Sequence, residues 1–249
     1  MVFLSPRPDK KLGLAYFENA YSNAKGFESH SYYRDHQQIF SRNQNRFDLI
    51  KSLPCPNSKI LDFGAGQGHF VKTALDNGWQ ADGIELSPAA IAAAKENFNI
   101  ELLDSINKLQ THDFAVIALW DVIEHLENPK ETILELAKHL HKDGFIIVET
   151  SNIDSLDYFI QKEKWGYWHV DHFYYYSKKT IEYLFQSIHF QLVSPPVNKS
   201  AKSNSSFAKY LPLLNPMNFV AALRKKSILQ KHKNLAKSSL MTVIAKRTV

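Results

Sequence analysis

The chain has 249 residues, enough for one α/β core with an appendage and too few for two ordinary domains of that class. Its apolar fraction of 44% and charged fraction of 22% exclude global disorder, and a lone cysteine, Cys55, excludes an internal disulfide and a cysteine-ligated metal. The net charge of +5 conceals an asymmetry: residues 197–249 hold eleven Lys or Arg and no acid, so the rest, with nineteen basic and twenty-five acidic residues, carries −6.

A basic region of this kind suits an anionic partner, either a membrane surface or a phosphorylated substrate, with nucleic acid the less favoured reading. The apolar start at Met1 is too short for a secretory signal, and no run reaches the roughly 18 apolar residues of a membrane span. The expected location is the cytoplasm, with or without peripheral membrane contact.

Residues 16–53 have the aromatic and amphipathic character of one or two helices that could lie across an open sheet edge. Lys59 to Phe63 reads as a buried strand ending in Gly64-Ala65-Gly66-Gln67-Gly68, and His69 to Asn77 as the helix that follows. Gln80 to Glu85 is a second strand. Ser87 then supplies an N-cap and Pro88 a first helical residue for an Ala-rich helix reaching Asn97.

Ile100 to Leu103 reads as a third strand, and Phe114 to Leu119 as a fourth whose unbroken apolar character predicts burial on both faces. Pro129 to His141 places Ile133, Leu134, Leu136, Ala137 and Leu140 on one helical face, with Gly144 as a stop before a fifth strand, Phe145 to Glu149. Ser177 caps a helix to Ser187, and Phe190 to Val193 and Leu240 to Ala245 complete the strands. Strands alternating with helices in this order predict a Rossmann-like α/β fold: seven strands, mostly parallel, helices on both faces, the last strand antiparallel.

The expected organisation is a helical segment over residues 1–53 covering the site, a core over 54–194 and 240–249, and a basic insertion at 195–239 in the last hairpin. The insertion's apolar residues Leu211, Leu213, Leu214, Met217, Phe219 and Leu223 suggest docking on a membrane or on a second subunit, as in a homodimer.

The glycine turn carries the strongest chemical signal. Glycines let the backbone bend tightly and approach a ligand closely, and the helix N-terminus beyond offers unpaired N–H groups and partial positive charge, a cradle for a nucleotide or a carboxylate. A nicotinamide-binding turn wants its third glycine one place later, where this chain has His69. The set Asp62, Gly64, Ala65, Gly66 and Gly68, then Asp82-Gly83-Ile84-Glu85-Leu86-Ser87, Leu103-Asp104-Ser105, and Phe114 to Leu126 with Trp120-Asp121 and Glu124-His125 resembles, in order, the motifs of class I S-adenosylmethionine-dependent methyltransferases. The likeness covers roughly residues 33–192 and is nearest to the small-molecule branch that includes ubiquinone-biosynthesis and sugar-modifying enzymes. Ala115 stands where that family usually has Asp, a departure at the start of the strand and away from its tip.

The resemblance implies S-adenosylmethionine as cofactor, with Glu85 accepting the ribose hydroxyls, Asp104 and Ser105 beside the adenine, and Leu86, Trp120 and Asp121 completing the crevice. It places His172, followed by Phe173 to Ser177, next to the acceptor. Around it Trp165, Trp168, His169 and Tyr174 form a candidate acceptor pocket, the plainer reading being a packed aromatic cluster. An imidazole, which titrates near ~6.5, can take a hydroxyl proton at neutral pH, so His125 and His172 are the candidate bases. The eleven histidines show no metal-binding pattern; the nearest pair is His169 and His172, and no metal is expected. The expected reaction is therefore methyl transfer to a small-molecule, sugar or lipid-linked acceptor. The alternatives are a nicotinamide-dependent oxidoreductase and a binding protein that keeps the fold without turnover.

Overall fold

A computed structural model describes residues 2–3, 36–194 and 239–248. In chain order the elements are β1 (Val2–Phe3), α1 (His36–Lys51), β2 (Lys59–Phe63), α2 (His69–Asp76), β3 (Gln80–Ile84), α3 (Pro88–Phe98), β4 (Phe114–Trp120), α4 (Pro129–Leu136), β5 (Leu140–Ser151), α5 (Leu156–Gln161), β6 (Tyr174–Tyr175), α6 (Lys178–Gln186), β7 (Phe190–Val193) and β8 (Leu240–Arg247), with short 3₁₀ turns at Ile106–Lys108, Ile123–His125 and Lys162–Lys164. Six strands form the main sheet in the order β3-β2-β4-β5-β8-β7, and β1 pairs with β6 as a separate two-stranded ribbon.

Strand β4 is buried at all seven positions because helices cover both of its faces. Its Ile117 and Leu119 pack with Ile133 and Leu136 of α4 and Ile181 and Phe185 of α6. On the opposite face Val116, Ala118 and Trp120 meet Phe47 and Ile50 of α1 and Phe70 and Ala74 of α2. Each such large side chain contributes roughly 1.5–3 kcal/mol when removed from water, which is why an uninterrupted apolar run marks the central strand.

Strands β3, β2, β4 and β5 run parallel, whereas β8 lies antiparallel between β5 and β7. From β2 the chain first crosses to β3 on one side and then to β4 on the other, so the strand order reverses between β2 and β4. Such a switch, beyond the carboxyl ends of the strands, is where open α/β sheets bind their ligands.

Two sequence expectations change. The segment Ile100–Leu103 makes one bridge, Ile84 to Leu103, instead of a strand, so the main sheet has six strands among the described residues. Asn99 in the left-handed region before it and the 3₁₀ turn after it leave too little extended chain for a ladder. The helix expected over 129–141 ends at Leu136, and β5 begins at Leu140. Leu140 pairs with Phe114 and the register shifts before Val116 meets Phe145. Gly144 is therefore a strand residue at this bulge: a Cβ there would lie 2.9 Å from the Phe114 carbonyl oxygen and 3.0 Å from that of Ala115.

Of the helical segment expected over residues 1–53, α1 is described, and the span 4–35 lies outside the described residues, as does the insertion at 195–238. The remaining helix boundaries agree, including Ser87 as the cap of α3 and a reciprocal Ser177–Thr180 capping box at α6. Among the described residues no helix is long and apolar enough to cross a membrane.

Candidate active site

The turn after β2 is built on backbone that glycine adopts without strain: Gly64, Gly66 and Gly68 have φ of +80°, +53° and +77°. At Gly64 space is also decisive, since a Cβ would lie 2.4 Å from Val122 Cγ2. Gly64 N–H and Ala65 N–H both donate to the Ile84 carbonyl, at 2.8 and 2.9 Å, which fastens the turn to the tip of β3. The Glu85 carboxylate spans the same gap: Oε2 accepts from Gly66 N–H at 2.7 Å, and Oε1 from Leu86 and Ser87 N–H at 2.8 and 2.9 Å. Its oxygens keep lone pairs for further donors, as a diol-binding carboxylate requires.

Asp62, beneath this turn, is 3% exposed, and its Oδ1 has no hydrogen-bond partner among the described residues. Burial pushes its carboxyl up to about 7, with nearby Arg46 opposing and Glu85 adding to the rise. Leu86, beside Glu85, presents an exposed apolar side chain. Leu103 is held against β3 by hydrogen bonds from its N–H to the Gly83 carbonyl at 2.9 Å and from Glu85 N–H to its own carbonyl at 2.8 Å, which places Asp104 next to Glu85. Asp104 is half-exposed and paired with Lys108 at 2.7 Å, and Ser105 caps the following 3₁₀ turn through Asn107 N–H at 3.2 Å.

At the tips of β4 and β5 the side chains of Asp121 and Glu149 share two arginines from α1. Arg42 Nη2 reaches Asp121 Oδ2 and Glu149 Oε1 at 2.7 Å each; Arg46 Nη2 reaches the same two oxygens at 3.1 and 2.5 Å. Burial works to raise the Glu149 carboxyl, and Arg46 and Arg42 outweigh it, holding the group below its ordinary value. Asp121 takes a left-handed backbone, φ +58°, to turn the chain at this point. Trp120 is buried, its ring under the Arg46 guanidinium at 4.7 Å and edge-on to Phe70 at 5.2 Å. The phenol of Tyr167 is raised by burial, with Asp121 adding and Arg42 opposing, which places it beside this ion network.

The loop after β4 and the loop before β6 bring the two candidate bases together. The rings of His125 and His172 lie 4.6 Å apart, edge to face. His125 Nδ1 is hydrogen-bonded to the Asp171 carbonyl oxygen at 3.0 Å and stands 3.5 Å from Asp171 Oδ2. Phe173 N–H donates to the Glu124 carbonyl at 2.8 Å, tying the two loops. Glu124 is 1% exposed, and burial, with Asp121 adding, pushes its carboxyl up to about 8. The His169 and Tyr175 rings pack tilted against His172, with centroids 4.8 and 5.6 Å away.

Of the expected acceptor residues, Trp168 is partly exposed and packs edge-on to Tyr175 at 4.5 Å, and Tyr174 donates its hydroxyl to the Glu127 carbonyl at 3.0 Å. Trp165 is buried, its indole N–H 3.4 Å from Ser239 Oγ, and anchors the loop from beneath. Arg42, Arg46, Glu149, Tyr167 and Asp171 lie against the candidate residues and were not singled out from the sequence. The arginines carried one legible sign, a four-residue spacing on one helical face; Asp171 carried only its place beside His172.

The glycine turn and the loop that carries the candidate bases meet at Val122, whose side chain fills the space that a Cβ at Gly64 would need. Bare backbone at the turn, a diol-suited carboxylate at Glu85 and a buried orphan oxygen at Asp62 fit a sulfonium nucleoside. The fold and this crevice together define the class I S-adenosylmethionine-dependent methyltransferases. A family model described as a methyltransferase domain matches residues 33–194, and the chain belongs to that family.

Relatives and solved structures agree. The chain is 31% identical over 101 residues to a ubiquinone biosynthesis O-methyltransferase of Rickettsia typhi, a match covering 38% of this chain and 41% of the relative. The match thus spans about two fifths of that curated relative's length. The plantazolicin methyltransferase BpumL, solved with S-adenosylhomocysteine, superposes with TM-score 0.58 at 19% identity over 96% of each chain. The magnesium protoporphyrin IX methyltransferase of Synechocystis, also solved with S-adenosylhomocysteine, gives 0.58 at 13% identity over 96% of this chain and 100% of its own. These structures share the fold. The family match sets aside the nicotinamide-dependent alternative.

Proposed function

We propose that the chain transfers the methyl group of S-adenosylmethionine to a hydroxyl of a small acceptor, which is free, sugar-bearing or lipid-linked. The observation that carries this reading is the contact at Val122, where a turn suited to the nucleoside abuts a loop bearing His125, itself packed on His172. Relatives named as ubiquinone biosynthesis O-methyltransferases favour oxygen as the atom methylated.

In this reading Gly64, Ala65, Gly66 and Gly68 hold the amino-acid end of the cofactor, Glu85 the ribose, and Leu86, Asp104 and Ser105 the adenine. Asp121, supported by Trp120 beneath it and by Arg42 and Arg46, closes the floor. When bound, the cofactor supplies an already activated sulfonium methyl. The chain's own work is alignment, an effect on the order of several kcal/mol, and removal of the acceptor's proton. His125 and His172 receive that proton, and Trp168, His169 and Tyr174, anchored on Trp165, orient the acceptor and exclude water.

The direct test is incubation with methyl-labelled S-adenosylmethionine and a cell extract, with identification of the labelled product. His172→Ala should slow transfer at least tenfold while leaving cofactor affinity unchanged. Full activity in that variant would remove His172 from the mechanism, and an extract that acquires no label would refute the assignment.

A further inference from the structure

We propose that His125, Asp171 and His172 form a binding site for one divalent transition-metal ion of the zinc class at the acceptor end of the crevice. The inference rests on the proposed function for its place in the reaction; the ion site itself stands on geometry. Each of the three side chains offers one ligand atom, and these atoms lie within 4.8 Å of one another. A tetrahedral ion with bonds of about 2.0–2.2 Å sets its ligands about 3.3–3.5 Å apart, so closure takes side-chain rotations on the order of 1 Å. Two imidazoles and a carboxylate are the donor set that zinc and its neighbours accept, and three protein ligands leave a position for a substrate oxygen.

Three further observations point the same way. The contact between His125 Nδ1 and the Asp171 carbonyl oxygen, 3.0 Å, is of the kind that orients ligating histidines, with Nε2 then the nitrogen offered to an ion. The ligands come from two segments fastened together by the Phe173–Glu124 hydrogen bond at 2.8 Å, so only side-chain movement separates them from ligating distances.

Charge supplies the third. The Asp171 side chain is 10% exposed, and its Oδ1 accepts no hydrogen bond among the described residues. No lysine or arginine among those residues lies within ion-pair distance of it. The buried carboxylates Asp121 and Glu149, one loop away, are neutralised by two arginines. The nearest cationic partner of Asp171 among the described residues is the His125 ring at 3.5 Å, charged only when protonated, and a bound cation would give this enclosed carboxylate a fixed counter-charge.

An ion here would hold the acceptor's hydroxyl and ease loss of its proton to solvent at neutral pH. The alkoxide oxygen then forms the new O–CH₃ bond as the sulfonium's C–S bond breaks, leaving a neutral thioether. The histidines would then serve as ligands and not themselves take the proton, so the ion replaces the histidine-base step of the proposed function and leaves the rest of it in place.

The experiment is to strip the purified full chain with a chelator and titrate it with Co²⁺, following visible absorption, and with Zn²⁺ by calorimetry. One equivalent should bind. His172→Ala should weaken binding by about 100-fold or more and Asp171→Asn by about tenfold or more, whereas His169→Ala, outside the ligand set, should bind as the parent does. Melting curves of the stripped variants confirm that each is folded. Absence of stoichiometric uptake, or uptake unchanged in His172→Ala, overturns the proposal. Full methyl transfer by the stripped enzyme, with His172→Ala still slow, also overturns it and leaves the histidine-base reading standing. Stoichiometric, His172-dependent uptake by a chain that transfers no methyl group supports the ion site and removes the proposed function alone.

Discussion

Gly64 shows how much one backbone position decides. Any L side chain there meets both an unfavourable φ and the Val122 side chain at 2.4 Å, so Gly64→Ala should cost about 1–3 kcal/mol in urea denaturation and weaken S-adenosylhomocysteine binding in calorimetry. Asp62 makes a different demand. Its carboxyl rises from 3.8 to about 7 in the folded chain, so between those values the folded state binds more protons than the unfolded one. Stability therefore falls as pH rises through this window and flattens above it, with a slope of up to about 1.4 kcal/mol per pH unit from this one group. Asp62→Asn should make the decline shallower when melting is followed from pH 4 to pH 8. An unchanged profile would show that the carboxylate is neutralised by something other than a proton. Burial pushes the thiol of half-buried Cys55 up to about 11, which keeps it protonated and weakly nucleophilic at neutral pH.

At the scale of elements, α1 acts as a clamp on the open ends of β4 and β5. Its apolar face, Phe47 and Ile50, is fully buried in the sheet's second core cluster, and its arginines neutralise the two carboxylates that the strand tips bring together. The two arginines are unequal. Arg46 is 11% exposed and Arg42 41%, so water can replace Arg42 but not Arg46. Arg46→Ala should cost about 3–5 kcal/mol in urea denaturation, since it leaves a buried pair of acids underpaired. Arg42→Ala should cost about 1 kcal/mol or less. Equal effects would mean that the network, and not the burial of one member, sets the energy. Element boundaries were legible wherever punctuation was local, as with Ser87 and Pro88 or the Ser177–Thr180 box. They were misread at 129–144, where Gly144 looks like a helix stop and is instead a bulge residue, because the partner carbonyls that forbid a side chain belong to β4, some thirty residues earlier in the chain.

For the whole molecule, the parallel run of β3, β2, β4 and β5 brings Gly64, Glu85, Asp121 and Glu149 to the same edge of the sheet, so ligand binding there should register as global stability. A ligand at about 100 times its dissociation constant adds about 2.7 kcal/mol to the folded state. S-adenosylhomocysteine should therefore raise the melting temperature by about 5–10 °C in a thermal-shift measurement. NADH at equal concentration should leave it in place. The reverse result would restore the oxidoreductase reading.

The amino-acid sequence by itself determined the alternation of strands and helices, the glycine turn with Asp62 and Glu85 at its borders, and the family. These are carried by local signals: a period of two or of 3.6, caps, and glycines where φ is positive. Only the tertiary structure decided that Asp121 and Glu149 share Arg42 and Arg46, that Trp120 and Trp165 are buried, and that Asp171 lies close to two histidines forty-seven positions apart. The reason is physical. Charge pairing and metal-ligand geometry depend on distances of 3–5 Å between groups remote in the chain, and no periodicity records those distances until the sheet has closed.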